Sequence, residues 1–147
     1  MSDKRLDLSA ARSLKAGEVM RRLALPPVTM TQIVYYCAAA RITDPIHFDR
    51  DYARTHGFPD AIVNGSLRVA WLAQILCDLV ASPNRLADLR CTHSGLLRLG
   101  QPAQIEARAS GGLEACEGGW LLPCEAETTV DSKVLDRAEG KLFFKQI

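Results

Sequence analysis

With 147 residues, 48% of them hydrophobic, the chain is long enough to fold as one domain around a substantial core and needs no metal or disulfide staple. Its 18 Lys and Arg against 17 Asp and Glu leave a formal charge of +1, and the basic side chains are scattered, with Arg12, Arg21 and Arg22 the densest group, so electrostatic capture of nucleic acid is excluded. The five cysteines are an odd set among apolar neighbours, which reads as reduced core thiols of a cytoplasmic protein; Cys116 and Cys124 have neither a nearby His nor a second close Cys pair, an arrangement unsuited to zinc.

Residues 1–13 mix charges with a few leucines, lack the apolar segment of a signal peptide, and are expected to form a flexible leader to a single domain over 14–147. Val19–Leu25 suits a first strand, stopped by Pro26-Pro27 because proline brings no donor to a ladder. Thr29 or Thr31 then caps a helix to about Ala40, with Ile33, Val34, Cys37 and Ala38 on its apolar side. Asp44-Pro45 ends that regularity, since the residue before proline is turned away from helical backbone. Asp49 caps a short helix to about His56, with Gly57 just past its end and Pro59 blocking continuation.

Ile62–Val80 is predicted as the long helix. Apolar side chains, including Leu67, Val69, Trp71, Leu72, Ile75, Leu76 and Leu79, fall on nearly every face, so this helix must be wrapped by other structure. Asn64, Arg68, Gln74 and Asp78 in the same run exclude a membrane span. Beyond Asn84 the period drops from about 3.6 to 2: Leu89, Cys91 and His93 alternate with Arg90, Thr92 and Ser94, and Ala103, Ile105, Ala107 and Ala109 with Gln104, Glu106, Arg108 and Ser110. His93 reads there as a structural histidine. Gly111-Gly112 is a flexible turn, Trp120 to Thr128 a third strand in which Pro123 marks a bulge or an edge, and Lys133 to Phe144 the last strand. The expected fold is α+β: one curled antiparallel sheet wrapped around the long central helix, with a partner subunit covering apolar side chains on the sheet's other face.

Asp44-Pro45-Ile46-His47, Asp49, Tyr52-Ala53, Gly57 and Ile62-Val63-Asn64-Gly65 together resemble the MaoC-like family of hotdog-fold hydratases and dehydratases, which add water to enoyl thioesters or remove it from (R)-3-hydroxyacyl thioesters. The approach from Leu14 to Gly17, the step Pro26-Pro27-Val28-Thr29 and the pair Tyr35-Tyr36 are similar to that family's as well. The likeness covers about residues 14 to 80, and the later strands agree only in arrangement. It implies an acyl-CoA or acyl-carrier-protein thioester as substrate, no cofactor and no metal, and a homodimer or a heteromer with another MaoC-like chain. His47 is implied as the base and then the acid of hydration, and Gly65 as the residue whose N–H polarises the thioester carbonyl, with Asn64 and Ser66 beside it on the substrate side. The family pattern also has an Asp five residues before the His, with a Gly preceding it, and an Asn three before the His; Ile42, Arg41 and Asp44 stand at those places here.

Elementary chemistry fits the part of the pattern that is present. A neutral imidazole takes a proton near pH 7 and gives it back, as hydration requires in sequence. Glycine at a helix start brings its N–H close to an oxygen with no Cβ in the way, where the helix dipole favours negative charge. Asn64 and Ser66 also suit capping of the long helix. Ile42 can neither orient water nor accept its proton, and two explanations stand. Asp44, held by Pro45, takes the carboxylate role from two residues further on, or the chain is the catalytically degenerate subunit of a heteromeric hydratase, shaping an acyl tunnel while a companion supplies Asp and His. A hotdog acyl-CoA thioesterase is a third reading, with Asp60 or Asp78 aiming water at the thioester carbonyl.

Overall fold

The computed structural model describes residues 5–146. In chain order they form α1 (Leu8–Ser13), β1 (Val19–Leu25), α2 (Met30–Ala40), a 3-10 turn (Pro45–His47), α3 (Arg50–Thr55), α4 (Gly65–Cys77), β2 (Arg85–His93), β3 (Ala103–Ala109), β4 (Glu114–Cys116), β5 (Gly119–Val130) and β6 (Lys133–Lys145). Every strand pairing is antiparallel, the sheet order is β1-β3-β5-β6-β2, and short β4 pairs with β5 beside that path.

Local chemistry sets the element ends. Thr29 and Gln32 form a reciprocal capping box at α2, and α2 stops at Arg41 in the left-handed region. Asp49 accepts from the N–H groups of Asp51 and Tyr52 and starts α3. Within the segment expected as a leader, residues 1–4 lie outside the described ones; Leu8–Ser13 is helical, Asp7 caps it, and Ala11 is buried against the main core with Leu6 and Leu8 packed alongside.

The period-2 stretches fold as their alternation requires. Ala103, Ile105, Ala107 and Ala109 of β3 are all buried, and so are Leu122, Cys124, Ala126 and Thr128 of β5. Pro123 lies inside β5, where its neighbour changes: β3 pairs as far as Cys124 and β4 takes over at Leu121. Its carbonyl accepts from Ser110 N–H at 3.0 Å, so the missing N–H on the same side of the strand falls at that handover and leaves no ladder bond unmade.

The curled wrap expected from the sequence is not what forms. The strand path is open, with β1 and β2 as its two ends, and α4 packs Leu72, Ile75 and Leu76 against one face formed by Ile105, Ala107, Leu122, Ala126 and Leu142. Ser66, Ala70, Gln74 and Cys77, a stripe along the opposite side of α4, are exposed. Geometry gives the reason: strands about 4.8 Å apart make a five-strand path roughly 20 Å wide, whereas merely encircling a helix about 11 Å across needs roughly 35 Å. The helix is also shorter than its apolar run, because Ala61, Ile62 and Val63 are extended and buried before Asn64 caps it.

A second cluster, built on Ile33, Cys37, Val63, Leu97, Leu99 and Leu135, packs α2 against the loops that flank α4. All five cysteines are free, but only Cys37 and Cys124 are buried; Cys91 and Cys116 are half-buried and Cys77 is exposed, which corrects the expectation of five core thiols. Among the described residues no helix is long and apolar enough to cross a membrane.

Candidate active site

Three segments meet at the N-terminus of α4. The extended residues before it run against the loop after β2, with Val63 N–H donating to Leu97 O at 2.8 Å and Leu99 N–H to Ala61 O at 3.2 Å. Asn64 then turns its side chain back, and its Oδ1 accepts from Ser66 N–H at 2.9 Å and from the Ser66 hydroxyl. Gly65 is therefore the first residue of α4, and its N–H has no carbonyl within the helix to meet. An oxygen acceptor placed there gains the partial positive end of the helix.

His47 approaches from the 3-10 turn and is 9% exposed. Its Nδ1 lies 2.9 Å from Ile62 O, a group that only accepts, so Nδ1 carries the proton. Nε2 is left as an acceptor and takes the Asn64 Nδ2–H at 3.1 Å, the amide orientation that the Ser66 cap also demands. Tyr36 Oη, 2.8 Å from Ser66 Oγ, extends the chain of hydrogen bonds onto α2. The structure thus joins His47, Asn64 and Ser66 in one network, with Gly65 between the last two in the chain.

Asp44 stands outside that network. It is exposed, and its carboxylate caps the 3-10 turn by accepting from Ile46 N–H at 3.2 Å. Both ring nitrogens of His47 are engaged elsewhere, and the hydrogen bond described between the two residues is the backbone one of the turn, His47 N–H donating to Asp44 O at 3.4 Å, not one from the carboxylate to the ring. Ile42 is half-buried and packs against the second apolar cluster, so an apolar contact stands at the position that the resemblance gives to a carboxylate. Of the two acids considered for thioester hydrolysis, Asp60 faces Arg50 and Arg54 and Asp78 is bonded to Gln74 Nε2 at 2.7 Å.

A second imidazole stands beside Gly65. His93 ends β2 with its side chain 38% exposed, and its Nδ1 is 2.6 Å from Oδ1 of the fully buried Asp136. Asp136 is held from beyond by Arg68 of α4, whose Nε donates to Oδ2 at 3.0 Å and whose Nη2 reaches Oδ1, Gly95 O and Leu135 O. His93 Nε2 lies 3.3 Å from the point where a Cβ on Gly65 would stand. Burial raises the pKa of Cys91, two residues earlier on β2, and the negative charge of Asp136 adds to it.

Sequence reasoning set His93 aside as structural and gave Arg68 and Asp136 no role. One signal was available: a lone Arg inside an apolar helix needs a buried acid to meet it. Asp136 falls on the inward phase of β6 with Ala138, Leu142 and Phe144, and a bulge follows on the β5 side, since Thr128 pairs with Asp136 but Thr129 with Val134, leaving Leu135 as the extra residue. Leu135 turns inward as a result, next to Asp136. Asp136 then lies directly across from His93 in the β2–β6 register.

Among the described residues no group of three or more His, Cys, Asp or Glu side chains is placed to hold a metal ion. A surface concavity of about 440 Å³ is lined by Asp88, Arg90, Glu125, Glu139 and Lys141, and contains none of the residues around Gly65. The site is marked by its hydrogen bonds and the open helix terminus.

A family model described as "MaoC like domain" matches residues 14–118. No curated protein matches the chain. Among solved structures, the ChsH1-ChsH2 complex from Mycobacterium tuberculosis is 18% identical at a TM-score of 0.75, covering 88% of this chain and 98% of that one. An (R)-hydratase from A. caviae involved in PHA biosynthesis is 17% identical at a TM-score of 0.77, covering 91% and 99%. A MaoC-like dehydratase from Rhodospirillum rubrum is 18% identical at a TM-score of 0.73, covering 97% and 99%. At these identities the likeness is one of fold.

Proposed function

Because the chain belongs to the MaoC-like domain family, we propose that it catalyses reversible hydration of enoyl thioesters, and dehydration of (R)-3-hydroxyacyl thioesters, at the N-terminus of α4. The observation that carries this reading is Gly65 at the first position of α4, its N–H without an intrahelical acceptor, with His47 bonded to the Asn64 cap and His93 Nε2 beside it. A thioester carbonyl accepting from Gly65 N–H becomes a better electron sink, which is what addition of water to its conjugated double bond requires. Losing one such donor costs about 3 kcal/mol of transition-state stabilisation in comparable sites. His47 and Asn64 hold the step that presents this N–H, and Ser66 completes the cap. Asp44, committed to its turn, takes no part.

The second reading is a subunit of a heteromer, favoured by one observation: Ile42 packs half-buried against the second apolar cluster where the family pattern places an acid. The exposed stripe of α4 and the open edge of β2 leave room for a companion, and the ChsH1-ChsH2 structure is of a complex. Nothing comparable favours the thioesterase, whose candidate acids are committed to other partners.

The test uses the purified chain, alone and with whatever copurifies from its host, against short, medium and bulky trans-2-enoyl-CoA substrates. Formation of 3-hydroxyacyl-CoA is the expected result, and turnover only in the presence of a companion assigns the heteromer. Free CoA without a hydroxyacyl product assigns a thioesterase. Neither turnover nor thioester binding by any assembly overturns the reading.

A further inference from the structure

We propose that His93, paired with Asp136, is the catalytic base and acid of this site, an inference that rests on the thioester reading above. Four observations converge on it. Asp136 can only accept when ionised, so His93 Nδ1 carries the proton and Nε2 holds the free lone pair. That Nε2 has no hydrogen-bond partner among the described residues, whereas the corresponding atom of His47 is occupied by the Asn64 amide. His93 is partly open to solvent and lies against the Gly65 position, where the carbonyl is to be held. Asp136 is locked in place by Arg68, which also bonds two backbone carbonyls, so the pair is rigid before any substrate arrives.

Together these supply what Ile42 lacks: a carboxylate that fixes the tautomer of an imidazole and stabilises the imidazolium once it forms, the logic by which acid–imidazole pairs work elsewhere. In the forward direction His93 Nε2 removes a proton from water as the water oxygen bonds to the alkene carbon remote from the thioester. The π electrons move to the thioester carbonyl, and the resulting enolate oxygen is held by Gly65 N–H. The imidazolium then returns its proton to the carbon next to the carbonyl, restoring the C=O and the neutral ring. One water is added, nothing is oxidised or reduced, and dehydration is the same path reversed. Asp136 and Arg68 act through His93 and are positioning residues.

The experiment compares wild type with His93→Gln and Asp136→Asn, each as the full chain with any companion that copurifies, on trans-2-butenoyl-CoA through trans-2-octenoyl-CoA. His93→Gln is expected to lower kcat about 100- to 10,000-fold while KM stays within about twofold and thermal unfolding hardly moves, because the side chain is partly exposed. Asp136→Asn leaves Arg68 unpaired and is liable not to fold, so two further measurements stand beside it: Asp136→Glu, expected to keep part of the rate, and the ring-nitrogen NMR spectrum of His93 in wild type, expected to show the Nδ1–H tautomer. Wild-type hydration with His93→Gln retaining kcat to within about threefold, or an Nε2–H tautomer in wild type, overturns the pair while leaving the thioester hydratase intact. Absence of hydration by any wild-type assembly overturns the thioester reading and this assignment with it.

Discussion

Arg68 reaches from the central helix to Asp136 on the last strand, donating from Nε to Oδ2 at 3.0 Å, and the two side chains are 4% and 0% exposed. Such a pair returns about what its desolvation costs, but losing one partner strands the other charge in the core. Arg68→Met and Asp136→Leu are each expected to cost about 3–5 kcal/mol in urea unfolding, and the double variant clearly less than the sum. A strictly additive double variant would show that the two charges do not depend on each other.

Gly65→Ala separates the role of the helix terminus from stability. Alanine in a helix is favoured over glycine by about 0.8–1.0 kcal/mol, while the new Cβ would meet His93 Nε2 at 3.3 Å and crowd the space between that ring and the helix start. The expected outcome is a melting temperature within a few degrees of wild type and loss of most turnover. Turnover at the wild-type level would remove Gly65 from the reaction.

Thr128 is fully buried on β5, and its hydroxyl has no protein partner. Replacing that oxygen by a methyl group of similar size removes an unmet polar group at little change in packing. Thr128→Val is expected to stabilise the fold by about 1 kcal/mol in chemical denaturation. A loss of stability would mean that the hydroxyl is satisfied in solution.

Cys124 gives the fold an alkaline limit. Burial, with a smaller contribution from Glu125, raises its thiol from the ordinary 9.0 to about 12. A raised pKa means that stability is complete below the unfolded value and is lost as pH rises through the folded one. Between pH 9 and about 12 this one thiol should steepen the loss of stability by at most about 1.4 kcal/mol per pH unit, an increment absent in Cys124→Ala. Denaturant titrations of the two proteins across that range check it. A parallel pair of curves would show that the thiol ionises freely in the fold.

What the chain declares locally, it declares reliably. Val19–Leu25 before two prolines, the cap at Thr29, the cap at Asp49 and the alternation of Ala103 to Ala109 all form as expected, because each depends on neighbours within a few positions. The grouping of His47, Asn64, Gly65 and Ser66 was legible through the resemblance, which is written in a short stretch. The openness of the sheet was not, since apolar residues around α4 do not say how far five strands can reach. Nor was the fate of Asp44, which depended on whether its carboxylate would meet a ring or a turn N–H.

The sequence alone therefore determined the family and the succession from β1 through α2 and α3 to the long helix and the later strands, all short-range patterns of hydrophobicity and backbone freedom, while the start of the long helix at Gly65 and the helix at Leu8–Ser13 came from the fold. Only the tertiary structure decided which acid meets which imidazole. His93 and Asp136 are 43 positions apart, and their meeting depends on the register of β2 against β6, which sets them directly across from each other and which no short stretch of either strand specifies.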